Sequence, residues 1–275
     1  MDIFKDKIVI VTGGAAGIGK AICEELGRRG AIIIAADINL DKVYNVVLEI
    51  CSKGGRATAV HLDVSDTDAV EKFVIDTAAE YGRLDYIFNN AGINIYGEVR
   101  DMSMDDWKKI ININLWGVIA GSATAFKIMV RQGHGHIINT SSVNGLIPYP
   151  TEGGYGTAKH GINGLSGILR SEGSAFNVKV SVVCPGAVKS DIDVGVPILN
   201  TEERHRRHVD GMYLFKMSTE NAVLRILKGI EKNSAVIIFP FSARVTWWLH
   251  RINPAILNPL RWIMLVGFRY FRLKS

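Results

Sequence analysis

The chain has 275 residues and a formal charge of +5 at neutral pH. This length is sufficient for one large hydrophobic core, and no Pro/Ser-rich linker or charge run divides it. The first seven residues are charged and lead directly into a strand pattern, so we expect no secretory signal and a cytoplasmic location. The three cysteines are far apart, which favours reduced thiols and no bound metal.

The N-terminal segment predicts a strand, a glycine-rich turn and a helix. Residues 8–11 are β-branched, the turn occupies residues 12–19, and the helical pattern ends at Gly30. The glycine spacing differs from the common G-x-G-x-x-G pattern, but glycines still let a backbone approach a pyrophosphate, and a helix start offers free N–H groups. We therefore predict a dinucleotide site at Gly13, Ala16, Gly17, Ile18 and Gly19.

The second predicted strand, residues 31–36, ends at Asp37. A carboxylate at this position accepts hydrogen bonds from a ribose 2′-hydroxyl and repels a 2′-phosphate. The next residue is Ile38 rather than arginine, so the sequence favours NAD(H) over NADP(H). The alternative is that Asp37 caps the helix that begins near Leu40.

Strands and helices continue to alternate through the middle of the chain. Helices are predicted at 39–51 and 66–81, and strands at 57–62 and 84–88. This alternation predicts a doubly wound α/β fold, in which a parallel sheet carries helices on both faces and binds ligands at the carboxyl edge of its strands. The residues that follow these strand ends are therefore candidates for cofactor contacts: Asp63, Val64, Asn90, Ala91 and Gly92.

A later helix is predicted to carry a catalytic pair. A long helix at 105–132, broken near Asn112, and a strand at 136–139 precede it, and a strand at 179–183 follows it. Spacing of four places Tyr155 and Lys159 one turn apart on the same face. Because a nearby ammonium group favours the phenolate, Tyr155 is a candidate acid/base for an alcohol or a ketone.

Together these motifs resemble those of the classical short-chain dehydrogenase/reductase family over residues 7–239. The resemblance implies a Rossmann-like domain of about seven parallel strands in residues 1–240, and a homodimer or homotetramer. It rests on the order and spacing of the glycine turn, Asp63, Asn-Asn-Ala-Gly at 89–92, Asn114 before Leu-Trp-Gly, Ser142 thirteen residues before Tyr155, Lys159, and Pro185-Gly186.

The resemblance also implies a role for each residue of the set. Tyr155 would be the general acid/base, and Ser142 would hydrogen-bond the substrate oxygen. Lys159 would lower the pKa of Tyr155 and bind the nicotinamide ribose, and Asn114 would hold a water that links Lys159 to solvent. Cofactor contacts would be completed after the sixth strand by Pro185, Gly186, Val188 and Ser190.

Three of these assignments have rivals within the sequence. Ser141 is adjacent to Ser142, and the spacing to the tyrosine favours Ser142. Asn112 precedes Asn114, which is favoured because Leu-Trp-Gly follows it. Asn90 has two equal readings, since it could brace the turn between strands instead of contacting a cofactor.

The remaining segments concern substrate and partners. Residues 188–217 take the place of the family's variable substrate loop. Residues 194–199 of this loop are apolar. Residues 204–208 form a basic cluster that either contacts an anion or is the solvated face of a helix.

Residues 241–275 form an extension with six Lys/Arg and no acid. Arginines interrupt its two amphipathic helical segments, and the longest uninterrupted apolar run, residues 262–268, is far shorter than the ~20 residues that span a bilayer. We expect these segments either to lie on an anionic membrane or to pack over the substrate mouth or a dimer seam.

The sequence thus predicts an NAD(H)-dependent oxidoreductase that interconverts a lipophilic alcohol and its carbonyl compound, such as a steroid, retinoid or lipid, without a nucleic-acid partner. One alternative is a reductase of 3-oxoacyl thioesters. Another is a non-catalytic, cofactor-sensing membrane scaffold. The complete set of Asn114, Ser142, Tyr155 and Lys159 argues against the scaffold, which needs no such set.

Overall fold

A computed structural model describes residues 2–189, 196–200 and 216–270. Among these residues, seven strands form one parallel sheet in the order β3-β2-β1-β4-β5-β6-β7, which confirms the predicted fold. The chain order changes direction between β1 and β4, and this switch point opens a crevice at the carboxyl edge. The strands are β1 (Ile8–Thr12), β2 (Ile32–Asp37), β3 (Arg56–His61), β4 (Tyr86–Asn89), β5 (Gly135–Thr140), β6 (Val178–Pro185) and β7 (Val236–Phe239).

Helices cover both faces of the sheet. One face packs against α1, α2 and α7, and the other against α3, α5 and α6. Central strand β1 is buried along its whole length, as expected for a β-branched run in a parallel sheet with two covered faces. The helices are α1 (Gly17–Arg28), α2 (Leu40–Ser52), α3 (Thr67–Tyr81), α4 (Met104–Ile111), α5 (Gly117–Gln132), α6 (Gly153–Gly173) and α7 (Thr219–Glu231).

The predicted break near Asn112 is a π turn over Asn112–Trp116 that joins α4 to α5 without ending the helix. A π turn inserts one residue and changes the direction in which side chains project. The combined helix, Met104–Gln132, is the one helix in the described part with the length and composition for a bilayer crossing. Half of its most apolar stretch is buried inside the fold, as in a core helix of a folded domain.

The described part of the C-terminal extension, residues 241–270, is helical, as predicted. It contains α8 (Phe241–Ile252), a 3₁₀ turn (Pro254–Leu257) and α9 (Asn258–Tyr270). Ala243, Leu257 and Phe268 are buried against the rest of the protein. Arg261 fastens the start of α9, because its Nε donates a hydrogen bond of 3.0 Å to Pro148 O.

Candidate functional site

One cavity of about 740 Å³ lies at the carboxyl edge of the sheet. Its lining includes the glycine turn between β1 and α1, Tyr155 and Lys159 on α6, and Leu260 and Met264 on α9. The predicted cofactor turn, the predicted acid/base pair and the tail therefore border the same cavity.

The glycine turn leaves the first N–H groups of α1 available at this cavity. Ala16 occupies the N-cap position without a side-chain hydrogen bond to the helix, and Ala16, Gly17 and Ile18 line the cavity. Gly13 has a φ of +67°, and a side chain there would begin 2.9 Å from Ala91 Cα. A phosphate group fits this arrangement of free N–H groups and bare backbone.

Gly19 has a structural task in the same turn. It is buried in the first turn of α1, and a Cβ at this position would overlap Gly13 O. It was predicted as a cofactor contact, but it is not one of the described residues that line the cavity. Because Gly19 has no side chain, the backbone of Gly13 can pack directly against the first turn of α1.

Asp37 lies in the cavity lining, at the end of β2. Its Oδ2 accepts a hydrogen bond of 3.1 Å from Ala15 N, and its Oδ1 accepts one of 2.9 Å from Asn39 N. The alternative that Asp37 caps α2 is wrong, because the cap is Asn39, whose Oδ1 accepts from Lys42 N at 3.0 Å. The carboxylate ties the glycine turn to β2 and keeps lone pairs for a further donor.

Asn90 both braces the strand ends and lines the cavity. Its Nδ2 donates to Thr12 O at 3.2 Å, and its Oδ1 accepts from Thr140 Oγ1 at 3.3 Å. Thr12 Oγ1 in turn accepts from the N–H groups of Asn90 and Ala91, at 3.0 and 3.2 Å. The bracing role therefore has direct contacts, and Ala91 and Gly92 continue the lining as predicted.

Asp63 and Val64 follow β3 near the outer edge of the sheet and are not among the described residues that line the cavity. Asp63 Oδ1 accepts hydrogen bonds from Ser65 N and Ser65 Oγ, at 2.9 and 2.7 Å. A side chain at Gly117 would begin 2.6 Å from Val64 O, so this carbonyl packs against α5. A cofactor contact from either residue stays a prediction.

Tyr155 and Lys159 lie one turn apart on the buried face of α6, with 8% and 2% of their surfaces exposed. Lys159 Nζ is 5.4 Å from the centroid of the Tyr155 ring and donates a hydrogen bond of 2.8 Å to Thr140 O. Burial lowers the pKa of Lys159 to about 8, because the charged form loses its hydration. Sequence analysis did not identify Thr140, although its place at the end of β5 was a signal.

The neighbouring hydroxyls Ser141 and Ser142 have different partners. Ser141 is buried, and its Oγ donates a hydrogen bond of 2.9 Å to Lys159 O on α6. The hydroxyl proton of Ser141 is therefore already used in a contact with α6. Ser142 is half-buried, and its Oγ accepts from Asn144 N at 3.1 Å. Because an accepting hydroxyl keeps its proton, Ser142 can still act as a donor. Of the two serines, however, only Ser141 is among the described residues that line the cavity, so the contact of Ser142 with a substrate oxygen stays a prediction.

Asn114 is fully buried in the π turn. Its side-chain amide exchanges two hydrogen bonds of 2.8 Å with the backbone of Ile93. A Cβ placed on Gly92 would lie 3.2 Å from Asn114 Oδ1 and 3.6 Å from Lys159 Nζ. The structure thus brings Asn114 and Lys159 together across Gly92, while the water-holding role stays a prediction.

After β6 the chain returns to the cavity. Pro185, Gly186 and Val188 line it, and Gly186 N donates to Phe239 O at 2.7 Å. Ser190 lies outside the described residues, as do the basic cluster at 204–208 and most of the predicted substrate loop. In the described ranges, no group of three or more His, Cys, Asp or Glu side chains is arranged to hold a metal ion.

Part of the cavity lining consists of side chains that the sequence did not single out. Tyr149, Leu260 and Met264 line it, together with Asn94 and other groups. Leu260 and Met264 are four residues apart on α9, a spacing that marks one helix face but does not say what that face covers. The tail therefore packs on its own fold and lines the cavity.

An ion pair holds the end of α9 to the main domain. Arg269 donates from Nε and Nη2 to the two carboxylate oxygens of Glu98, at 2.9 Å each. The Arg269 hydrogen bonds, with a contribution from Arg100, lower the pKa of the Glu98 carboxyl to about 2. A folded-state pKa below the ordinary value of 4.5 means that the pair stabilises tail docking above pH 4.5 and loses that effect as pH falls toward 2.

Replacing Arg269 by methionine should release α9 while leaving the sheet intact. We expect several-fold faster hydrogen exchange of the α9 amides at pH 7 in Arg269→Met. The control Arg100→Met should have less effect, because Arg100 makes a single bond of 3.2 Å to Glu98. In the wild type, protection of α9, corrected for intrinsic exchange, should decline below pH 4.5. Unchanged protection in both experiments would contradict a fastening role for the pair.

These features define a Rossmann-type α/β protein with an acid/base pair at the switch point of its sheet. The family model for short chain dehydrogenases matches residues 7–197. The chain therefore belongs to the short-chain dehydrogenase/reductase family and is an oxidoreductase of that family.

Characterised relatives and a solved structure agree with this assignment. The chain is 35% identical over 194 residues to meso-2,3-butanediol dehydrogenase of Serratia marcescens, covering 70% of this chain and 76% of the relative. It is 32% identical to the 3-oxoacyl-acyl-carrier-protein reductase of Thermotoga maritima, covering 70% and 78%. A short-chain dehydrogenase/reductase of Burkholderia phymatum, solved in complex with NAD, superposes with a TM-score of 0.85 at 23% identity, covering 93% and 96%.

Proposed function

We propose that this protein is an NAD(H)-dependent oxidoreductase that interconverts a lipophilic secondary or primary alcohol and its carbonyl compound. The observation that carries the proposal is one cavity whose lining includes the glycine turn, Tyr155, Lys159 and the tail. The glycine turn would hold a dinucleotide in the cavity that Tyr155 and the tail also line, so cofactor and substrate could share it.

The chain's own residues manage the proton and the orientation of the substrate. When bound, NAD(H) supplies the acceptor or donor of the hydride. Tyr155 Oη takes the proton from an alcohol or returns it to a carbonyl oxygen, and the Lys159 ammonium favours its ionised form. Ser142 donates its free proton to the same substrate oxygen and so fixes the direction of the reacting bond. Above pH 8 this assistance weakens, because Lys159 loses its charge.

The preference for NAD(H) is supported by Asp37, whose carboxylate lies in the cavity lining at the end of β2. A 2′-phosphate placed there would meet a negative charge, whereas a 2′-hydroxyl could donate to it. The following side chain, Ile38, is exposed and offers no cation. NAD in the Burkholderia phymatum protein of the same fold is consistent with this choice.

Removing the charge of Asp37 should reduce discrimination between the two cofactors. We expect the wild type to bind NADH more tightly than NADPH, and Asp37→Asn to reduce the ratio of the two Kd values by about tenfold or more, since one unfavourable charge contact is relieved. Fluorescence titration measures both affinities without a substrate. Asp41→Asn, an exposed aspartate on α2, should leave the ratio unchanged. Tighter NADPH binding by the wild type would reject the assignment.

The lipophilic substrate class is supported by the wall that Tyr149, Leu260 and Met264 contribute. A screen of alcohols with NAD, read as NADH absorbance, tests it directly. We expect kcat/KM to rise from meso-2,3-butanediol to long-chain, retinoid or steroid alcohols, because a longer apolar body buries more surface. Preference for the small diol would overturn the lipophilic assignment, and absence of turnover with every alcohol and ketone would overturn the dehydrogenase.

Two alternatives are separated by the same assay. Similarity to the Thermotoga maritima reductase favours a 3-oxoacyl thioester substrate, so 3-oxoacyl thioesters should be compared with free ketones under NADH. Faster reduction of the thioester would select that alternative. NADH binding without turnover of any substrate would select the non-catalytic scaffold.

We also propose that the protein forms a homodimer or homotetramer through α5 and α6. Support comes from exposed apolar side chains near this pair, Trp116 and Ile168, with 51% and 58% of their surfaces accessible. Light scattering coupled to gel filtration would measure the mass. A monomer at micromolar concentration would reject this contact.

A further inference from the structure

Helix α8 has a second apolar face that does not contact the protein core. Ala243 and Thr246 on one face line the cavity. The opposite face is exposed, and its apolar residues follow helical spacing over three turns. These residues are Phe241, Val245, Trp248 and Ile252, with exposed fractions of 78%, 40%, 54% and 74%.

Helix α9 repeats this arrangement. Leu260 and Met264 line the cavity, and buried Phe268 continues the inner face. The outer face presents Trp262 and Ile263, which are 66% and 59% exposed, with Val266 one turn further along. Each tail helix is therefore apolar on two sides, and only the inner side is covered.

The charge on the outer side of α8 is uniformly positive. Arg244 and Arg251 are exposed and lie beside the apolar stripe, seven residues apart on the helix. The Arg251 guanidinium stacks over the rings of Trp247 and Trp248, at 5.0 and 5.3 Å from their centroids. Residues 241–275 contain no aspartate or glutamate that could neutralise these cations.

We propose that the outer faces of α8 and α9 form a docking surface for a bilayer that contains anionic phospholipid. The indoles of Trp248 and Trp262 lie at the headgroup boundary, while Arg244 and Arg251 contact lipid phosphates. This inference rests on the proposed function, because it supplies the route by which a lipophilic substrate reaches the site. The same helices line the cavity, so docking places the cavity about 10 Å, one helix diameter, from the lipid.

The charge pattern favours a lipid surface over a second copy of this chain. A two-fold contact through this face would set the arginines of one α8 against those of the other. The tail has no acid to compensate that repulsion. A bilayer offers phosphates for the arginines and an apolar interior for the stripe. With 13 residues, α9 is too short to cross it, so the contact is interfacial.

Flotation of the purified full-length protein with vesicles tests the proposal without any substrate, so its outcome is independent of the enzymatic assignment. We expect the protein to float with vesicles of phosphatidylcholine mixed with phosphatidylglycerol, and to float far less with phosphatidylcholine alone. Binding should fall with added salt. Arg244→Glu/Arg251→Glu and Trp248→Ser/Ile263→Ser should each reduce the bound fraction about tenfold or more.

Matched controls lie on α7, where Arg225 and Leu224 are exposed at sites outside the proposed surface. Arg225→Glu and Leu224→Ser should bind vesicles as the wild type does. The midpoint of thermal unfolding should be unchanged in every variant, which shows that each is folded; if the serine double variant fails to fold, the arginine double variant decides. Failure of the wild type to float, or equal flotation of the arginine variant, would overturn the proposal. A smaller oligomer for the serine variant, with no wild-type vesicle binding, would assign the face to a second copy.

Discussion

Replacing Tyr155 by phenylalanine should lower kcat by about 1,000-fold or more, while NADH affinity stays within about twofold of the wild type. Phenylalanine retains the ring that lies 5.4 Å from Lys159 Nζ, so the packing of α6 is preserved. It removes the only group on that ring that can exchange a proton with a substrate oxygen. The loss should therefore appear in turnover rather than in cofactor binding.

The measurement pairs steady-state kinetics on the best alcohol from the screen with fluorescence titration of NADH. Tyr149→Phe is the matched control, because Tyr149 lines the same cavity and burial raises the pKa of its phenol, which keeps it protonated. We expect this control to retain turnover within about tenfold of the wild type. Retained turnover in Tyr155→Phe would reject the acid/base role.

A second large effect is expected for Gly19→Ala. The added methyl group would overlap the backbone oxygen of Gly13, and backbone cannot rotate away as a side chain can. Relief of the overlap requires the glycine turn to move, which disturbs the N–H groups of Ala16, Gly17 and Ile18 at the cavity. Overpacking of this kind costs about 1–3 kcal/mol, so NADH affinity should fall about fivefold or more, with a lower free energy of unfolding.

Gly14→Ala is the control within the same turn. A Cβ there would lie 3.2 Å from Ala35 Cβ and 3.4 Å from Cys23 Sγ, so its neighbours need to shift by only a few tenths of an ångström, far less than at Gly19. Titration of NADH and thermal unfolding compare the two variants. Equal affinities for Gly19→Ala and the wild type would show that the turn does not depend on this close approach.

Sequence reasoning succeeded where a local pattern has one physical solution. Alternating β-branched strands and amphipathic helices can cover a parallel sheet in few ways, so the element order predicted the fold. The spacing of four between Tyr155 and Lys159 placed them on one helix face in any helical conformation, and α6 confirms that placement. Asp37 was located at the end of β2 for the same reason.

Sequence reasoning was less successful where several side chains could make the same hydrogen bond. Asp37 and Asn39 are both good caps, and which one accepts from Lys42 depends on the backbone after β2. Ser141 and Ser142 have the same chemistry, and only the position of α6 shows that Ser141 donates to Lys159 O. Asp63 follows a strand as Asn90 does, but β3 is an edge strand away from the switch point, so its cofactor contact stays a prediction.

The sequence by itself determined the parallel α/β architecture, the glycine turn and the order of the candidate catalytic residues, because these follow from short-range periodicity and spacing. Only the tertiary structure decided what the tail covers. Both tail helices carry apolar residues on two sides. Because the hydrophobic effect is non-directional, the sequence does not show which of the two sides is buried. Long-range contacts, Arg261 to Pro148 and Arg269 to Glu98, select the inner side, place Leu260 and Met264 in the cavity and leave Trp248 and Trp262 exposed.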